Sequence, residues 1–270
     1  MTEMQRLLAV MASLRDPERG CPWDREQAFQ SILPYTLEEV YEVAEAIDQG
    51  DMGSLREELG DLLFQIVFYA RMAEEAGEFD FTDIASGISD KLVQRHPHVF
   101  GDADIADAEA QTLAWEQHKE RERQAKAADE QREASVLDNV PLALPGLMRA
   151  MKLQRRAARL GFDWPDITPV LDKIEEELAE VREVLDQGGD RDKLEHEVGD
   201  LIFACVNLGR HANIEPEVAM RGVNRRFEQR FRRVETLARA QNQSLAEMSL
   251  EEMDRLWNQA KAEEAAARDK

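Results

Sequence analysis

The chain has 270 residues, with 56 acidic against 34 basic side chains and a formal net charge of −22. That length suits two small domains or one large one, and 43% hydrophobic with 33% charged residues are globular proportions. The acidic balance speaks against duplex nucleic acid and against an anionic membrane surface, both of which recruit lysine and arginine.

The opening segment, Met1 to Asp16, reads as an amphipathic helix with Leu7, Val10, Met11 and Leu14 on one stripe, not as a signal peptide. Cys21 and Cys205 lie far apart in sequence. The expectation is a cytoplasmic protein with two free thiols, buried as small apolar groups. Acidic helices follow over 37–47 and 55–70, joined by a polar connection at 48–54. The longest apolar stretch, 62–70, is broken by Gln65 and is about half of a membrane span.

Next come the basic cluster Lys91, Arg95, His96 and His98, and then residues 106–134, rich in Ala, Gln, Glu, Lys and Arg. The latter predict a solvated helix or helical linker, and Asp, Asn and two prolines within 136–145 predict a boundary. Beyond it, Ile174, Leu178, Val181 and Leu185 mark another helix, an arginine run covers Arg221–Arg233, and the last helix carries Trp257. The prolines, at 17, 22, 34, 97, 141, 145, 165, 169 and 216, are expected at element boundaries. Strand signals are almost absent. The expected fold is all-α, with domains at 1–105 and 141–270 and a helical linker at 106–140.

The chain repeats itself. LREELGDLLF (55–64) matches LEHEVGDLIF (194–203) at an offset of 139, and LEEVYEVAEAI (37–47) matches EEELAEVREVL (175–185) at 138. CPWDREQ (21–27) faintly echoes GFDWPDI (161–167). A helical unit of roughly a hundred residues therefore occurs twice, as tandem bundles.

Each copy carries two carboxylate pairs: Glu39 with Glu42 and Glu58 with Asp61, then Glu177 with Glu180 and Glu197 with Asp200. Spacing of i, i+3 puts each pair on one helical face, and the short connection between the two helices lets the pairs face one another. These acids interrupt the apolar stripes instead of lying opposite them. Glu58 falls among Leu55, Leu59 and Leu62, Glu177 among Ile174, Leu178 and Val181, and Glu197 between Leu194 and Leu201. Converging carboxylates repel and resist desolvation, so protons, basic side chains or metal must compensate them. All-oxygen ligation favours a hard cation such as Mg²⁺ or Mn²⁺. Gly60 and Gly199, beside the acids inside otherwise strong helices, imply close backbone approach or room for a ligand. No histidine stands three residues after an acid, which removes the di-iron reading, and no EF-hand, Walker or HExxH pattern occurs.

The sequence resembles the MazG family of nucleoside triphosphate pyrophosphohydrolases, whose signature is EExxE followed by ExxD. Here the signature stands as Glu38-Glu39-x-x-Glu42 with Glu58-x-x-Asp61, and as Glu176-Glu177-x-x-Glu180 with Glu197-x-x-Asp200. GCPWDREQ (20–27), KLVQRHPHVF (91–100) and GFDW (161–164) extend the likeness to two-copy members. The resemblance implies Mg²⁺-dependent hydrolysis of an NTP or dNTP at the α–β bond to monophosphate and pyrophosphate, by a homodimer or higher oligomer. It assigns metal ligation to Glu177, Glu180, Glu197 and Asp200, and in the first copy to Glu39, Glu42, Glu58 and Asp61. Glu176, or Glu38, is left to orient or deprotonate water. Lys173, Lys193, Arg226 and Arg230 are expected against phosphate, and Trp257 against the base. The C-terminal copy is expected to be the catalytic one. The alternative is an acidic helical interaction module with vestigial metal sites.

Overall fold

A computed structural model describes residues 1–102 and 107–268. Among the described residues it contains twelve α-helices and no strand. The chain divides into two compact units, Met1–Lys119 and Glu120–Lys270. Among the described residues no helix is long and apolar enough to cross a membrane.

In the first unit α1 (Glu3–Leu14), the short α2 (Pro22–Glu26), α3 (Phe29–Gln49), α4 (Met52–Glu75), α5 (Phe81–Arg95) and the four-residue α6 (Pro97–Phe100) follow in order. The turn between α3 and α4 is chemically specified. Gly50 takes the left-handed conformation, φ 69°, that ends α3, and the Asp51 carboxylate accepts from the backbone N–H groups of Gly53 and Ser54 to start α4. With so short a turn the chain reverses, and α3 and α4 pack along each other. Met11, Ile32, Val67, Phe68 and Met72 form the core. Phe68 is wholly enclosed, with the Arg15 guanidinium 5.4 Å from its ring centre. Arg15 is in turn held by Glu75 at 2.7 Å.

The helix α7 (Ala108–Asp129) has a buried side, contrary to the solvated helix expected from its composition: Gln111, Arg123 and Ala127 are buried. The side chains of Gln111 and Trp115 both donate to the carbonyl of Arg95.

The second unit continues with α8 (Gly146–Ala158), α9 (Thr168–Asp186), α10 (Arg191–His211), α11 (Pro216–Ala240) and α12 (Leu250–Arg268), with a 3₁₀ turn at Leu245–Glu247. As in the first unit, two consecutive helices, α9 and α10, form the main pair, and α8 packs across α10. Val234, Leu237 and Ala238 of α11 meet Leu256 and Ala260 of α12 in a separate core.

Two local expectations fail. Pro34 lies inside α3, not at its boundary. The carbonyl it deprives of a partner belongs to Gln30, an exposed residue in the first turn, where water can stand in for the missing N–H. Both cysteines are free, but neither is buried: Cys21 is half-buried, and Cys205 is exposed on the side of α10 that also shows Val198 and Ile202 to solvent.

Candidate active site

Each helical pair brings carboxylates from its two members together. In the first copy Glu39 and Glu42 of α3 meet Glu58 of α4, and in the second Glu177 of α9 meets Glu197 and Asp200 of α10. Within each group one ligand atom per residue lies within 4.8 Å of the others. The fourth acid of each expected set is a neighbour, not a member of the close cluster. Burial, Asp61 and Glu42 push the Glu39 carboxyl above its usual range, against a hydrogen bond from Gln65. Burial, Glu42 and Asp61 raise Glu58 likewise. In the second copy burial and the adjoining Glu177 raise Glu180, and Lys173 opposes them.

Glu177 is the most enclosed of these acids, 5% exposed. Its Oε1 receives Lys173 Nζ at 2.8 Å, and its Oε2 is buried with no hydrogen-bond partner. An orphaned carboxylate oxygen beside two more carboxylates makes a set of hard donors that could hold a divalent ion such as Mg²⁺ or Mn²⁺. A Cβ added at Gly60 or Gly199 would meet no atom within 4 Å, so these glycines leave open space beside the acids and do not mark a close backbone approach.

A feature absent from the sequence reading adjoins the second cluster. A recess of about 570 Å³ opens between α8, the 162–164 segment, α9 and α10, a size suited to a small organic ligand. Glu177, Asp200 and Lys173 stand on its lining, and Leu153, Phe162, Trp164, Val170 and Phe203 supply apolar walls. The 162–164 segment is tied to α10 by Asp163, whose carboxylate accepts from both terminal nitrogens of Arg210 and lies 3.0 Å from His211 Nε2. Arg210 holds the Asp163 carboxyl below its usual range, against the opposing effect of burial.

The first copy carries different side chains at the matching places. The offsets of the duplication put Gln65 opposite Ala204, Phe68 opposite Asn207 and Tyr35 opposite Lys173. Gln65 and Phe68 are both buried, and Tyr35 packs edge-on against Trp23. The signal was therefore present in the duplication, in exchanges of small or polar residues for large ones one and two turns beyond the acidic motif.

The remaining predicted residues divide. Lys173 reaches the cluster and also binds Glu176 at 2.8 Å; the two acids hold its ammonium well above the usual lysine range. Lys193 is exposed in the first turn of α10. Arg230 and Trp257 are brought to each other, the guanidinium 4.9 Å from the ring centre, and Arg230 is held by Glu264 at 2.7 Å. Trp257 also meets Phe227. Arg226 is exposed on α11. None of Arg226, Arg230 and Trp257 lines the recess.

These features define a duplicated all-α protein that gathers carboxylates on paired helices. The MazG nucleotide pyrophosphohydrolase domain matches residues 27–100. The chain is 51% identical over 265 residues to the nucleoside triphosphate pyrophosphohydrolase of Escherichia coli (strain K12), covering 98% of this chain and 99% of that protein. It is 40% identical over 257 residues to the nucleoside triphosphate pyrophosphohydrolase/pyrophosphatase MazG of Thermotoga maritima, covering 95% of each. An uncharacterized protein of Bacillus subtilis, YabN, shares 42% identity over 262 residues, 97% of this chain but 52% of that one. The chain belongs to the MazG family of nucleoside triphosphate pyrophosphohydrolases.

Proposed function

We propose that this protein hydrolyses nucleoside triphosphates between the α and β phosphates, yielding the monophosphate and pyrophosphate, with Mg²⁺ as cofactor and Mn²⁺ as a substitute. The second copy performs the reaction. The observation that carries this assignment is the recess beside Glu177 and Asp200, set against the buried Phe68 and Gln65 at the equivalent places of the first copy. A nucleoside has room in one copy and meets packed side chains in the other.

Glu177, Glu180, Glu197 and Asp200 hold the metal in this reading, and Glu39, Glu42, Glu58 and Asp61 form a second, non-hydrolytic cation site. Held by these carboxylates, Mg²⁺ would supply Lewis acidity to the reacting phosphate and its attacking water. The chain's own residues do the rest. Lys173, on the lining of the recess, offers its ammonium to a phosphate oxygen. Leaving Glu176 for that phosphate releases the Glu176 carboxylate to accept a proton from the attacking water. The apolar walls hold the nucleoside and exclude water from one side of the reacting phosphate.

Arg226, Arg230, Lys193 and Trp257 serve the phosphates and the nucleotide from outside the recess, in a homodimer. Leu171, Leu178 and Leu185 on one side of α9, with Val198 and Ile202 on α10, leave an exposed apolar face that supports association of two chains.

The test compares the copies. Glu197→Gln or Asp200→Asn is expected to abolish pyrophosphate release from NTP and Mg²⁺, and Glu58→Gln to spare most of it. Equal loss from the first-copy substitution would overturn the assignment.

A further inference from the structure

Two amides in the recess are oriented by the protein and left half-used. Gln154 of α8 is 8% exposed, and its Nε2 donates to the carbonyl of Phe203 at 2.8 Å. A carbonyl can only accept, so the amide cannot be flipped. Its Oε1, at the other end, is buried without a partner. Asn207 of α10 is 6% exposed, and its Oδ1 accepts from Arg210 Nε at 2.8 Å. A guanidinium N–H can only donate, so this amide is fixed too, with its NH₂ group turned away from Arg210. That NH₂ has no partner among the described residues. Arg210 is itself anchored by Asp163, so the orientation of Asn207 is built into the wall of the recess.

The recess thus pairs apolar walls with one orphaned acceptor and one unused donor. Planar, mostly apolar ligands with a donor beside an acceptor on one edge complement it, and the pairing edge of every nucleobase has that form. We infer that Gln154 and Asn207 read the nucleobase: Gln154 Oε1 accepts a base N–H, and the Asn207 NH₂ donates to an adjacent ring nitrogen or carbonyl oxygen. This rests on the reading of the recess as the nucleoside subsite. It adds two specificity-determining residues that lie outside the acidic motif. In the first copy Phe68 replaces Asn207, so that copy lacks the donor.

The test measures kcat/KM for the common NTPs and for ribose 5-triphosphate, which keeps sugar and phosphates but has no base. The ratio of NTP to ribose 5-triphosphate is expected to fall roughly 10- to 100-fold in Gln154→Leu and in Asn207→Leu, because each leaves a base edge unpaired in a dry site. Asn207→Asp keeps the shape and the Arg210 contact but turns the donor into an acceptor, so it reorders the preference among nucleotides while the fold is kept. Calorimetric binding of the four nucleoside monophosphates without metal is measured in parallel, and affinity is expected to fall in both Leu variants. An unchanged ratio with unchanged monophosphate affinity would overturn the inference and leave water as the occupant of the amides. An equal loss on ribose 5-triphosphate would overturn it in favour of a purely structural role. If wild type hydrolysed no NTP yet lost monophosphate binding on substitution, the proposed reaction would fall and the base-reading pair would stand.

Discussion

Removing one charge from the second acidic cluster should reverse its effect on stability when metal is added. Unit charges 4.8 Å apart repel by about 0.9 kcal/mol at the dielectric of water and about 3.5 kcal/mol at an effective dielectric of 20. Asp200 has two such neighbours, Glu177 and Glu197, and is exposed, so the lower figure applies to each. Asp200→Asn should therefore stabilise the metal-free second unit by about 2 kcal/mol, a rise in Tm of about 4–8 °C for a unit of this size. Mg²⁺ at a hundred times its Kd should then stabilise the parent by about 2.7 kcal/mol and the variant far less, so the order inverts. Differential scanning calorimetry in EDTA and again in Mg²⁺ reads both signs. A Glu58→Gln background in parent and variant keeps the first cluster from contributing. An Asp200→Asn variant less stable than its parent in EDTA would refute the convergence of the carboxylates. One that still gained the full stabilisation from Mg²⁺ would refute the ligand assignment.

Phe68→Ala should destabilise the first unit by about 3–5 kcal/mol, because the ring is wholly enclosed and the change also removes the surface beneath Arg15. Chemical denaturation measures it, and a loss below about 1 kcal/mol would contradict the packed core. Glu75 bears on acid stability. Burial opposes ionisation there, yet Arg15 and Arg71 outweigh it and hold the carboxyl below its ordinary value of 4.5. A lowered folded pKa means stability that is present above that value and lost as pH falls through the folded one. The stability difference between wild type and Glu75→Gln should accordingly shrink between neutral pH and about pH 3. A difference that grew on acidification would show the sign to be wrong.

The helical class and the duplication were legible because both are local: apolar period, strong helix formers and a repeated string of acids survive in a single sequence. The pairing of α3 with α4 and of α9 with α10 followed from the short turns, and the meeting of Glu177 with Glu197 and Asp200 followed from the i, i+3 spacing on facing helices. The burial within α7 was less visible, since Gln111 and Trp115 gain their partner, the Arg95 carbonyl, from another helix. The recess was hidden for the same reason. Gln154, Trp164, Lys173 and Asn207 come from four segments, and only the tertiary fold sets them around one space. Comparing positions 65 with 204 and 68 with 207 would have found the difference between copies, because a filled and an open site diverge where side-chain volume matters. The neighbours of Trp257 were hidden in the same way, since Arg230 and Phe227 reach it from another helix.

Cleavage of a nucleoside triphosphate between its α and β phosphates is identified by its products. Incubation of the purified protein with a panel of NTPs and Mg²⁺, followed by ³¹P NMR of the products, tests it most directly. Monophosphate and pyrophosphate are expected in equal amounts. Orthophosphate with nucleoside diphosphate, or no product from any nucleotide, would contradict it.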